Sequence, residues 1–286
     1  MRFVAFVLAA VAVLSGCTSR NKKFDNALYM ATVAKIKGMD PAQAQDNYSS
    51  QEIVRVYEGL LQFHPFKRPY VLEPLLAESM PRVSQNGLEY VFKIRKGVLF
   101  QEDAAFPGGK GRELKAQDFV YSIKRIADPK VQSSGWWLFE GRLQGLDEWQ
   151  EIAKKSGKAD YEARVAGLEA VDDYTLRFRL KAPYPQFLYA LAMPYGSVVA
   201  REVVEKYGAE FINHPVGTGP FMVREYNPND KIVYVRNPSY WPATFPADGA
   251  PGDDMSDGCA PIAARTEVRT RIMDAAIRFP PRHPAN

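Results

Sequence analysis

The chain has 286 residues, 46% hydrophobic and 24% charged, with a net charge of +4 carried on 37 basic and 33 acidic side chains. That balance suits one large or two ordinary globular domains and excludes disorder, collagen and coiled coil as descriptions of the whole. The small net charge leaves no footprint for nucleic acid. Two cysteines, Cys17 and Cys259, and three scattered histidines, His64, His214 and His283, supply neither a disulfide framework nor a metal-ligand spacing, and no cofactor motif is present.

At the N-terminus Arg2 precedes an apolar run from Phe3 to Leu14. The run is shorter than the ~20 residues a helix needs to cross a bilayer. Its charged, apolar, small-residue order is that of an export signal. Leu14-Ser15-Gly16-Cys17 resembles the lipobox of bacterial lipoproteins. The resemblance implies a signal peptide over residues 1–16, lipid on Cys17 and a polar tether over 17–27. An ordinary signal peptide with an incidental cysteine is the alternative. Thr18 leaves open which membrane holds the anchor.

Leu28 to Val33 reads as a short buried strand. Ser49-Ser50-Gln51-Glu52 fits a capping box. Behind it Ile53, Val54, Tyr57, Leu60 and Leu61 predict one helical face that stops near His64-Pro65. Residues 87–96 alternate, with Leu88, Tyr90, Phe92 and Ile94 on one side. Residues 174–181 do the same, with Tyr174, Leu176, Phe178 and Leu180. Together they predict an antiparallel sheet with one wet face. Between them lie two helices. One carries Phe119, Ile123 and Ile126 and ends before Asp128-Pro129. The other is capped by Asp147 and ended by Gly157. Gly108-Gly109-Lys110-Gly111 lacks phosphate-loop spacing and reads as a plain loop. A helix over Arg201 to Tyr207 and a hairpin, Phe221 to Tyr226 and Ile232 to Val235, follow.

Six phrases along this order resemble the extracellular solute-binding proteins of family 5, the peptide- and nickel-binding receptors of bacterial ABC importers. They are Gly38-Met39-Asp40-Pro41 with Val56-Tyr57-Glu58-Gly59-Leu60, Leu76 to Ser79 with Gly87 to Phe100, Leu114 to Ser122, Gly167 to Thr175, Pro215 to Phe221, and Arg236-Asn237-Pro238-Ser239-Tyr240-Trp241. Departures are Met80, the Gln101-Glu102-Asp103 stretch with the insertion at 104–111, and Lys115 at a helix cap. The last should weaken that cap by about 1 kcal/mol.

The resemblance implies an α/β, class II periplasmic-binding-protein architecture that is incomplete here. Residues 28–61 and 201–245 form part of the first lobe, 62–200 an extra α+β domain, and the second lobe is missing. Residues 246–286 read as an aberrant, disordered tail. They hold five arginines and no lysine, which fits a shifted reading frame near 253–256, a natural short end or a fragment. By resemblance the ligand wall comprises Gln45, Asp46 and Asn47 with Trp136 and Trp137. For Asp46 a solvated loop acid, and for one tryptophan a place in the core, are the alternatives. The implied partners are a peptide or similar solute, an importer permease, and a membrane held through Cys17, on the periplasmic side of the envelope. A defective remnant that binds nothing is the second reading. An envelope hydrolase has no GxSxG, HExxH or Ser/His/Asp set to support it.

Overall fold

A computed structural model describes residues 27–241 and 267–272. The signal segment, Cys17 and Cys259 lie outside the described residues.

The antiparallel sheet forms where the alternation predicts it. Strands β4 (Arg82–Val83), β5 (Glu89–Lys93), β6 (Leu168–Asp172) and β7 (Thr175–Arg179) pair in the order β4-β5-β7-β6. Glu89 faces Arg179 and Lys93 faces Thr175 across the central pair. Period-two alternation puts Tyr90, Phe92, Ile94, Leu176, Phe178 and Leu180 on one buried face. Phe92 meets Phe178 edge-on at 5.8 Å, and Phe178 meets Phe187 at 5.2 Å. Each such ring contributes roughly 1.5–3 kcal/mol through burial. The opposite face is charged: Arg177 donates to Glu169 at 2.6 Å and Arg179 to Glu89 at 3.0 Å.

Helix α1 (Asn47–Val56) starts three residues earlier than the capping-box reading requires. Asp46 is the cap, because its carboxylate accepts the Ser49 N–H at 2.9 Å before Ser49 itself can serve. The helix also ends at Val56. Tyr57 is extended, and Leu60 and Leu61 are buried in an extended stretch running into β2 (Leu61–Phe63), which pairs with β3 (Leu72–Pro74). Val54 is exposed.

Helix α2 (Ala116–Ala127) ends where Asp128-Pro129 forbids continuation. At its start Lys115 cannot accept a hydrogen bond, yet Asp118 accepts the Lys115 N–H at 2.8 Å, so half of the cap survives. Helix α3 (Leu146–Ser156) is capped by Gly145. Asp147 sits inside its first turn and accepts the Gly141 N–H at 2.8 Å, which corrects its expected place. Short helices α4 (Phe187–Leu191) and α5 (Arg201–Tyr207) follow, the latter closed by Gly208.

The second four-stranded sheet has the order β1-β10-β9-β8, from β1 (Ala27–Thr32), β8 (Phe221–Asn227), β9 (Lys231–Arg236) and β10 (Glu267–Ile272). At the sheet's edge, β1 is only partly buried, with Tyr29 exposed, so the expectation of a buried strand holds for its pairing alone. Strand β10 departs from the expected disorder at residues 267–272. It lies parallel to β1 and antiparallel to β9, with Val268 and Thr270 buried. Residues 267–272 are thus a working part of the sheet. Their Val-Arg-Thr-Arg-Ile alternation was hidden by a threonine at an inward position. Helix α1 packs on this sheet through Glu52, which accepts the Tyr234 hydroxyl at 2.5 Å and the Thr270 hydroxyl at 3.3 Å.

Candidate functional site

Three widely separated phrases converge on one carboxylate. Glu58, buried just beyond α1, accepts hydrogen bonds from the Thr218 hydroxyl at 2.8 Å, the Tyr240 hydroxyl at 2.9 Å and the Trp241 indole N–H at 3.3 Å. Burial pushes its pKa up to about 7, against those three donors and the charge of Arg95, which lower it. The Arg95 guanidinium lies over the Trp241 ring at 4.9 Å. Gly217 approaches the Val56 carbonyl so closely that a Cβ would stand 2.1 Å from its oxygen, which only glycine permits. Gln101 donates to the carbonyls of Gly219 and Phe221 at 3.2 and 2.7 Å. These contacts join the segment after α1, the loop before β8 and the turn after β9 into one rigid base.

The predicted ligand wall stands on that base. Asp40 carries a bidentate ion pair to Arg125 of α2, at 2.7 and 2.6 Å, and accepts the Ala42 N–H at 3.0 Å. The chain then turns through Pro41–Gln43 into α1. Gln45 and Asn47 are exposed there. Asp46 is half-buried and committed to the helix, its two oxygens taking the N–H and the hydroxyl of Ser49.

The tryptophans approach the same turn from the other side. Trp136–Leu138 is a single helical turn at the end of the 129–135 loop. Trp136 packs partly buried against the core, whereas Trp137 is 57% exposed. One tryptophan therefore belongs to the core and one presents a free ring. Gln43 donates to the Val131 carbonyl at 2.7 Å and Ser133 to the Ala42 carbonyl at 2.5 Å, so the two predicted segments are stitched side by side.

Sequence reasoning missed the stitching residues Gln43 and Ser133. Nothing in their spacing marks them, since they act across the fold. A cleft of about 280 Å³ lies between Gln101–Asp103 and 213–226. Within it His214 and Asp103 meet at 2.7 Å, with Tyr207 stacked on the imidazole.

A polar turn and an aromatic ledge thus lie on neighbouring segments joined by the hydrogen bonds of Gln43 and Ser133. The chain belongs to the bacterial extracellular solute-binding proteins, family 5, whose middle region matches residues 71–276. It is 32% identical over 225 residues to di/tripeptide-binding protein 2 of Pseudomonas aeruginosa, covering 75% of this chain and 38% of that protein. It is 27% identical over 237 residues to the glutathione-binding protein GsiB of Escherichia coli, covering 83% and 39%. Among solved structures it resembles the periplasmic binding protein DppA of Helicobacter pylori in complex with the peptide STSA. That match has a TM-score of 0.62 and 27% identity, and covers 86% of this chain and 42% of the other. The described residues form part of the class II periplasmic-binding-protein fold, and the chain spans well under half the length of these relatives. All three of these relatives are binding proteins by name. No helix among the described residues is long and apolar enough to cross a membrane.

Proposed function

We propose that this chain contributes one wall of a receptor that captures peptides for an ABC importer. It works at the periplasmic side of the bacterial envelope, held to a membrane by lipid on Cys17, and passes its ligand to a membrane permease. The observation that supports the reading is that Gln43 and Ser133 tie the segment carrying Gln45–Asn47 to the segment carrying the exposed Trp137. A peptide backbone suits such a wall, because the polar turn can exchange hydrogen bonds with it while the indole covers an apolar side chain. The peptide and glutathione ligands in the relatives' names agree with this chemistry.

The test is an isotope-edited NMR titration of the chain with a dipeptide and a tripeptide. One wall supplies a few hydrogen bonds worth about 0.5–1.5 kcal/mol each. Association cost offsets most of that gain, so half-saturation is expected only at or above ~1 mM, with shifts centred on residues 45–47 and the Trp137 indole. No shift at ~10 mM peptide, or shifts confined to other faces, sinks peptide capture. For the anchor, acyl labelling should be lost in Cys17→Ala. Labelling that survives the change overturns the assignment of Cys17.

A further inference from the structure

The hydroxyl of Tyr195 touches both halves of the wall from a third element. It donates to the Ala44 carbonyl at 2.7 Å, and it lies 2.8 Å from the Ser134 hydroxyl. A phenol has one proton, and the Ala44 carbonyl can only accept, so Ser134 must be the donor of the second bond. The ring is fixed as firmly as the oxygen. Gly135 lies flat against it, and a Cβ there would stand 2.3 Å from the Tyr195 ring. The turn that carries Tyr195, Pro194–Gly196, is itself tied to the base of the site, since Val198 donates to the Glu58 carbonyl at 2.9 Å.

We infer that Tyr195 is a positioning residue: it sets the spacing between the polar turn at 45–47 and the Trp136–Trp137 ledge, so that a ligand meets one continuous surface. Ser133 and Gln43 tie the same segments edge to edge. Tyr195 alone among these three residues reaches both segments from outside them, which fixes their separation and their tilt together. The consequence for ligand binding rests on the peptide-receptor reading; the positioning itself does not.

Hydrogen exchange by mass spectrometry on the full chain tests this, with Tyr195→Phe, Ser134→Ala and Gly135→Ala compared to the parent. Tyr195→Phe keeps the ring and removes both bonds. It should raise exchange about tenfold in fragments covering 40–47 and 131–139 while β5 and β7 stay unchanged. Ser134→Ala keeps the bond to Ala44 and should raise exchange in 131–139 alone. Gly135→Ala displaces the ring and should reproduce the Tyr195→Phe pattern. Unchanged exchange in both segments of Tyr195→Phe overturns the inference. So does an equal rise throughout β5 and β7, which would show a general structural role. A tripeptide titration of the same variants supplies the ligand readout. In Tyr195→Phe the common midpoint of the shifts at 45–47 and at the Trp137 indole should move several-fold to higher peptide concentration, and an unmoved midpoint counts against positioning. If the parent chain shows no peptide shifts at all, the receptor reading fails while the exchange data still decide the role of Tyr195.

Discussion

Asp40 and Arg125 face each other through two parallel hydrogen bonds, both side chains almost wholly buried, with the Phe211 ring 5.0 Å from the guanidinium. The pair fastens the segment that leads into the polar turn to helix α2, and so to the antiparallel sheet. Taking either partner away strands a buried charge. Arg125→Met should therefore cost about 3–5 kcal/mol, whereas Asp40→Leu with Arg125→Met together should cost less than Arg125→Met alone. Urea midpoints of the single and double variants measure the difference. Additive losses would show that the two groups do not act as a pair.

Glu58 makes stability depend on pH. Its pKa is about 7 in the fold against an ordinary 4.5, because burial favours the neutral acid. The folded state therefore holds a proton that the unfolded chain releases between about pH 4.5 and 7. Stability from this group is full below 4.5, declines through that window and is flat above it. The decline is a few kcal/mol at most. Glu58→Gln should remove it, so that the gap between parent and variant changes from pH 5 to pH 8. A gap independent of pH would show that Glu58 is ionised throughout.

Asp46 is the cap of α1. Asp46→Ala should lower stability by about 0.5–2 kcal/mol, and Asp46→Asn by much less, because the amide oxygen can still accept the Ser49 N–H. Gln45→Ala, at an exposed neighbour, should stay within about 0.5 kcal/mol. Thermal unfolding of the three variants separates the roles. Equal effects at 45 and 46 would mean that the cap contributes nothing.

Val268 tests the place of β10. It is fully buried between β1 and β9, so Val268→Ala should cost about 2 kcal/mol through lost burial and a small cavity. A denaturant midpoint unmoved by this change would remove β10 from the sheet.

What the sequence revealed and what it hid follow from physics. The alternation in 89–93 and 175–179 is legible because one face of each strand is apolar and the other charged. The end of α1 is not, because Leu60 and Leu61 are just as apolar in a buried extended stretch as on a helix. The true cap was missed because Ser49 and Asp46 offer the same kind of acceptor three residues apart, and only geometry chooses the nearer carboxylate. Trp136 and Trp137 are indistinguishable on paper. Their different exposure comes from which ring the turn at Gly135 directs toward the core. The grouping of Glu58 with Thr218, Tyr240 and Trp241 was invisible for a related reason: its members are brought together by chain reversal, which no local pattern records.

The parallel pairing of β1 with β10 also dictates an order of events. Ala27 pairs with Glu267, so the first strand to emerge from the ribosome finds its partner only after nearly the whole described chain has been made. The sheet of β4 to β7 closes over much shorter separations and can form while β1 still lacks its neighbour. During that interval β1 is an open edge available to any strand it meets. Until residues 267–272 have been made, the sheet on which helix α1 packs stays open and that part of the chain stays pliable.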